Sequence, residues 1–345
     1  MVVLIVLIAA TVLAMAWGAL ALWVQAPGGR RRAGIAVGLW VACACAFVAS
    51  LFLPGWSTVR VALTVVFLAA VAALALWWRS VRPSNDRNWI PDVAQQTHGE
   101  VQGEIVTLQN VRNFNWRSAQ DFDVRWETRR YDLSRLRSVD MALSYWSHAT
   151  IAHTLVSFGF DDGQYVVFSV EIRRKQGDKF SEIGGFFRQY ELSIVAADER
   201  DILRVRTNMR GEDGYLYRVR MPPAAMRSLF LAYLDEANAL VRKPRFYNTI
   251  TANCTTIVYK MVDRIVPGLP MDYRLLASGL LPEYLYDLGA LEGAGSVSEY
   301  RRLGRYTDRA RANVDLERFS SDIRRGVPGI GPSCHPARQG RWTRL

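Results

Sequence analysis

Apolar positions along the chain follow two regimes. Residues 2–24, 33–53 and 61–78 are apolar on every side, with no Asp, Glu, Lys or Arg inside any run. A helix rises 1.5 Å per residue, so about 20 residues cross a hydrocarbon core of about 30 Å. The first two runs meet that length and the third sits at its lower limit. Trp23, Trp56, Trp77 and Trp78 mark the run ends, where amphipathic rings prefer the membrane interface. A cleaved signal peptide followed by core helices is the alternative. The first run lacks a basic leading segment and exceeds a signal's apolar length. Three membrane spans are expected.

Beyond the third run the pattern changes. Residues 80–96 are polar, with Pro83 and Pro91 as breakers, and read as a linker. Val124, Trp126 and Thr128 then alternate with charged residues. Residues 153–160 and 164–173 are β-rich runs around Asp161-Asp162-Gly163, a hairpin signal. Further strands are expected at 189–195 and 215–219. Pro222 and Pro223 open a helix in which Met226, Leu229, Phe230, Tyr233, Leu234, Ala237, Leu240 and Val241 recur at three and four residues, until Pro244. A second helix, 255–266, follows Asn253-Cys254, with Ile257, Met261, Val262 and Ile265 on one face and Pro267 as its stop. The reading is an α+β domain with an antiparallel sheet. The expected organisation is an anchor at 1–79, a linker at 80–96, an enzyme-sized domain at 97–292 and an Arg-rich, poorly packed tail at 293–345.

Charge sharpens this division. The 345 residues carry a formal charge of +11, at a mean hydropathy of +0.01. Residues 1–79 hold five Arg and no acid, residues 301–345 hold 11 basic against 4 acidic side chains, and the middle of the chain is near neutral. The excess therefore belongs to the anchor and the tail, which argues against a nucleic-acid partner. Membrane lipids are the expected partners. Arg30–Arg32, between the first two runs, and Arg79, Arg82 and Arg87, after the third, place the large domain in the cytoplasm if charge bias decides.

Reactive side chains are few, with four Cys and four His. Cys43 and Cys45 fall in the second span, and Cys334 and His335 in the tail, where they read as incidental. Cys254 stands at a helix start beside Thr255 and Thr256. Free N–H groups and the partial positive charge there favour a thiolate and an oxyanion. The plain alternative is a buried structural cysteine. His153, opening the first hairpin strand, is the natural base. On the returning strand Glu171 or Ser169 falls near His153. Glu171 is the better electrostatic partner, unless it is a solvated carboxylate paired with Arg173. A zinc site from His148, His153 and Cys254 fits no ligand spacing, and no CxxC or HExxH occurs. No phosphate-binding or dinucleotide fingerprint and no GxSxG is present, so neither metal nor cofactor is expected.

A family resemblance then becomes specific. NDRNWIPD (85–92), VTLQNVRNFNW (106–116), IAHTLVSFGF (151–160), FSVEIRR (168–174), FFRQYEL (186–192), DERD (198–201), FYNTITANCTT (246–256) and LLASGLLPEYLYDLGALE (275–292) occur in this order. Residues 86–291 thereby resemble the Lnb N-terminal periplasmic domain family. The resemblance implies a circularly permuted, papain-like (NlpC-type) cysteine enzyme with His preceding Cys. It implies Cys254 in ANCTT as nucleophile and His153 in IAHT as base, and fixes no third residue. Its namesakes are lipoprotein N-acyltransferases, which move a fatty acyl chain from a phospholipid to a lipoprotein's N-terminal amine. Lipids and lipoproteins are the partners so implied. The namesakes carry their membrane region after the soluble domain, whereas here the apolar runs precede it. Phe186, Phe187 and Tyr190 either line an apolar groove or pack in the core.

The reading is thus a membrane-bound thiol acyltransferase of the bacterial inner membrane. A cell-envelope cysteine peptidase or amidase and a non-catalytic scaffold are the alternatives. Lipoprotein chemistry puts the domain in the periplasm, against the Arg distribution, and the periplasmic side is the one adopted. Oligomeric state is left open.

Overall fold

The computed structural model describes residues 1–26, 28–53, 57–293 and 295–331; Trp56, Cys334 and His335 lie outside them. The chain divides into two compact units. One comprises Met1–Ser84, Lys179–Glu191 and Phe246–Thr249; the other comprises Asn85–Asp178, Leu192–Arg245 and Ile250–Leu345.

In the first unit α1 (Val2–Gln25), α2 (Gly29–Ser50) and α3 (Thr58–Ser80) are long and apolar enough to cross a membrane. Gly28 takes φ 94°, a left-handed backbone that turns the chain between α1 and α2. Gly18 lets these two helices close: a Cβ there would stand 2.6 Å from the Trp40 indole nitrogen. That indole donates to the Met15 carbonyl at 3.0 Å, so its N–H is satisfied inside an apolar bundle. Phe67 of α3 stacks on Phe47 at 4.6 Å. Leu13, Leu39, Leu68 and Leu76 face outward, as a hydrocarbon surround requires. A short helix, α4 (Glu182–Phe186), and the turn after it belong to this unit. Gln25 Nε2 donates to the carbonyls of Phe187 and Arg188 at 2.9 and 2.5 Å. Phe187 meets the rings of Trp17 and Trp78. Phe187 and Tyr190 are buried and Phe186 is exposed, so this run packs rather than lining a groove.

The second unit is mixed α+β. Its strands are β1 (His98–Gln102), β2 (Ile105–Arg112), β3 (Asn115–Trp116), β4 (Phe122–Asp123), β5 (Trp126–Asp132), β6 (Leu136–Tyr145), β7 (Ala152–Phe160), β8 (Tyr165–Arg173), β9 (Glu191–Ala197) and β10 (Asp213–Val219). Eight of these form one sheet in the order β1-β2-β9-β8-β7-β6-β10, with β5 also on β2. The β6–β7 and β7–β8 pairs are antiparallel, and one bridge between β2 and β9 is parallel. Side chains alternate across the sheet. Phe158 and Phe168 pack against Phe230 and Tyr233 of α6 (Pro223–Arg242). Ala142, Leu155, Val167, Val195 and Leu216 form another core with α5 (Glu199–Arg204) and the C-terminal helices. Next come α7 (Thr256–Ile265), α8 (Leu281–Asp287), α9 (Val297–Gly304), α10 (Thr307–Ala312) and α11 (Phe319–Ile323).

Two segments depart from the sequence expectation. Residues 85–96 are not a free linker: Trp89 and Val93 are buried, and Arg173 donates to the carbonyls of Val93 and Ala94. Residues 297–331 are not a loose tail. Tyr300, Tyr306, Ala310, Phe319 and Ile323 are buried, and Arg324 pairs with Asp140 and Glu199. An arginine-rich composition hides such packing when each guanidinium finds an acid far away along the chain.

Candidate active site

The β7–β8 hairpin positions the base. Leu155 pairs with Ser169, and this register carried two residues further sets His153 against Glu171. On its other side His153 faces Ser144 of β6. His153 Nε2 lies 2.7 Å from Ser169 Oγ and 3.1 Å from Glu171 Oε1. Ser169 donates to Glu171 at 2.8 Å. Both residues considered for the third position therefore gather on one ring nitrogen, which leaves Nδ1 for a further partner. Arg173 has turned away to Val93, Ala94 and Asn85 Oδ1. Glu171 is thus no solvated strand carboxylate.

The sulfur arrives from the opposite element. Asn253 Oδ1 accepts from the N–H groups of Thr255 and Thr256, at 2.9 and 2.7 Å, and so caps the start of α7. Cys254 lies inside that cap, partly exposed, with its thiol close enough to His153 for each to shift the other toward its charged form. The thiol also lies 4.0 Å from the Thr255 hydroxyl. Asn253 holds two first-turn donors, so the Cys254 N–H is one that this side chain leaves for an oxyanion.

Electrostatics favour an ion pair. Burial opposes charge on the sulfur, but the hydrogen bond and the charge of His153 outweigh it and lower the thiol pKa. Burial likewise opposes an imidazolium, but the Glu171 carboxylate and the sulfur outweigh it and lift His153 to about 9. Glu171, despite its burial, is held well below the usual carboxylate range by His153 and then by Arg206. Both partners move toward thiolate and imidazolium.

Three residues around this group carry no signal in the sequence. Arg206 sits in a π-helical turn, Val205–Met209, directly after α5. It donates to Glu171 Oε1 at 3.0 Å and to Glu212 Oε2 at 3.2 Å. Ser144 closes the far side on Glu212 at 2.5 Å. Only the π turn marks Arg206, since such bulges gather at functional sites, and a π turn is invisible to periodicity. His148 is exposed. No cluster of His, Cys, Asp or Glu among the described residues has metal-site geometry.

The residues following each member of the pair line a cavity. Thr154 and Thr255 approach to 3.5 Å between their hydroxyls, and beside them lies a space of about 100 Å³. Val156, Met141, Val258, Val262, Leu275 and Tyr284 are among its walls. It is apolar almost throughout, which suits a hydrocarbon better than a peptide amide.

Residues 122–279 match the family model described as the Lnb N-terminal periplasmic domain. No curated protein and no solved structure matches the chain.

Proposed function

We propose, from the match of residues 122–279 to the Lnb N-terminal periplasmic domain family model, that the protein is a membrane-anchored thiol acyltransferase acting on lipid or lipoprotein acyl groups. The observation that carries this reading is the thiol of Cys254 beside His153, each shifting the other toward its charged form, with the ring itself held by Ser169 and Glu171. Apolar walls beside the pair and three apolar helices in the same chain support a lipid acyl donor.

In this reaction the Cys254 thiolate attacks the ester carbonyl carbon, and the Cys254 N–H steadies the oxyanion. Collapse breaks the bond to the alcohol oxygen. The imidazolium of His153 gives that oxygen its proton, leaving an acyl thioester. An incoming amine then attacks the thioester, His153 takes the amine proton, and the carbon–sulfur bond breaks to restore the thiolate. Glu171 and Ser169 orient the ring and sustain its charge throughout.

The three apolar helices and the periplasmic-domain match fit an inner-membrane protein. We place the enzyme domain on the periplasmic side. A reporter active only in the periplasm, fused after Thr343, reports that side; a cytoplasmic reporter working instead reverses the placement.

Mass spectrometry of the full-length protein after incubation with phospholipid tests the chemistry. An acyl mass on Cys254, removed by hydroxylamine and absent in Cys254→Ala, is expected. A free thiol in folded protein counts against acyl transfer, and hydrolysis of cell-wall peptides without an adduct makes the protein a peptidase or amidase.

A further inference from the structure

The membrane unit carries a second concentration of chemistry, remote in sequence from the thiol. Where α3 ends, Arg79, Val81, Arg82 and Pro83, together with Arg188 and Phe246, surround a cavity of about 410 Å³. Three of its six wall residues are arginines and none is acidic. Among the described residues neither Arg79 nor Arg188 pairs with a carboxylate, and Arg188 donates instead to the backbone carbonyls of Trp78 and Val81.

Arg188 is held in place before any ligand arrives. Its backbone takes φ 58°, a left-handed conformation unusual for a side-chain-bearing residue. Gln25 holds that turn through the two carbonyls of Phe187 and Arg188. The guanidinium carbon lies 4.4 Å from the Trp78 ring and 5.8 Å from the Phe246 ring. Its Nη1 donates to the Trp78 carbonyl at 2.7 Å. Burial, and then the like charge of Arg82, press its pKa downward. A planar cation stacked on aromatic rings, beside a second cation and beside Arg79, is an arrangement that an anion would relieve.

Position narrows the anion. Trp77 and Trp78, with Trp17 5.1 Å from Trp78, cluster at this end of α3, and indoles of this kind settle at head-group depth. Guanidinium forks match phosphate oxygens. A crowd of three cations also disfavours a head group that carries its own ammonium.

We propose that Arg79, Arg82 and Arg188 form a binding site for the phosphodiester of an anionic phospholipid. The inference is independent of the thiol chemistry and stands even if Cys254 proves inert.

Native mass spectrometry of the full-length protein, released from vesicles of equal phosphatidylglycerol and phosphatidylcholine, tests it. Wild type should retain phosphatidylglycerol selectively. Arg79→Gln and Arg82→Gln should each lower that retention about fivefold, the size expected for one basic residue at a lipid surface. Arg188→Lys should lower it as well, because a point charge cannot replace the stacked fork. Unchanged helicity by circular dichroism separates these losses from misfolding, and Arg79→Gln carries the test should Arg188→Lys fail to fold. Equal retention of both lipids, retention unaffected by Arg79→Gln and Arg82→Gln in folded protein, or displacement of the lipid by millimolar inorganic phosphate would each overturn the proposal.

Discussion

Among the clusters of buried charge in the sheet domain, those around Arg324 and His153 are built differently. Around Arg324, every charge is matched. Its guanidinium takes Asp140 Oδ2 at 2.8 Å and Glu199 Oε1 at 2.7 Å, stacks 3.8 Å over Tyr165, and Arg218 supplies Asp140 with a second cation. Asp140 and Glu199 side chains have no exposed surface. Around His153, the chain of partners ends near a partly exposed sulfur beside an apolar cavity. A closed cluster fixes helices against a sheet; an open one, with a titratable ring inside it, can pass a proton. Burial of charge alone therefore does not mark a site. The DERD run makes the same point, since Asp201 spends its oxygens on Arg112, the Phe114 N–H and the Trp116 indole.

The largest expected effects come from breaking one cluster at a time. Cys254→Ala should abolish the acyl adduct while changing unfolding free energy by no more than about 1 kcal/mol. His153→Ala should slow adduct formation by roughly 10²- to 10⁴-fold, the usual weight of a general base. Arg324→Ala should do the reverse. It strips Glu199 of its cation and halves the support of Asp140, costing about 3–5 kcal/mol of stability, with activity per folded molecule preserved. Chemical denaturation and adduct mass spectrometry on the same samples read both quantities. If Arg324→Ala removes activity from protein that is still folded, the contrast between the clusters is wrong.

Smaller effects appear in the pH dependence. His153 is raised from an ordinary 6.5 to about 9, so its contribution to stability is complete below pH 6.5 and disappears as pH rises through 9. Activity that needs the imidazolium should fall across the same upper limit. Glu171→Gln removes the main group raising His153, so the alkaline limb should move down. Arg206 opposes the charge on His153, so Arg206→Gln should move that limb up, with Glu171 now less strongly depressed. Opposite displacements in the two variants, measured as pH–rate profiles, are the expected signature. Shifts of the same sign would mean that Glu171 does not govern the ring.

Much of this site is legible in the sequence because it is local. The hairpin at Asp161–Gly163 sets His153 against Ser169 and Glu171, and the period-3.6 helix after Asn253 places Cys254 at its start. Arg206, Glu212 and Ser144 are not legible, because their meeting depends on a π turn and on strand order in the sheet. Arg324 and Asp140 lie 184 residues apart. No window of composition distinguishes that arginine from a solvated one, which is why a packed C-terminal segment reads as a tail.

Asn253 tests the smallest difference, between a residue that caps and one that reacts. Its Oδ1 accepts from Thr255 N, Thr256 N and Thr256 Oγ1, and its place beside the thiol invites a catalytic role. The geometry gives it the work of starting α7. Asn253→Ala should then cost about 1 kcal/mol of stability, as loss of a cap does, and slow the reaction only through a looser Cys254. Asn253→Asp keeps the cap, because a carboxylate caps as well as an amide. It also brings a negative charge next to the sulfur, which raises the thiol pKa and moves the acid limb of the pH–rate profile upward. Restored stability with a displaced acid limb in Asn253→Asp is the expected result. A variant whose limb stays in place while its rate collapses would make Asn253 a participant in the chemistry.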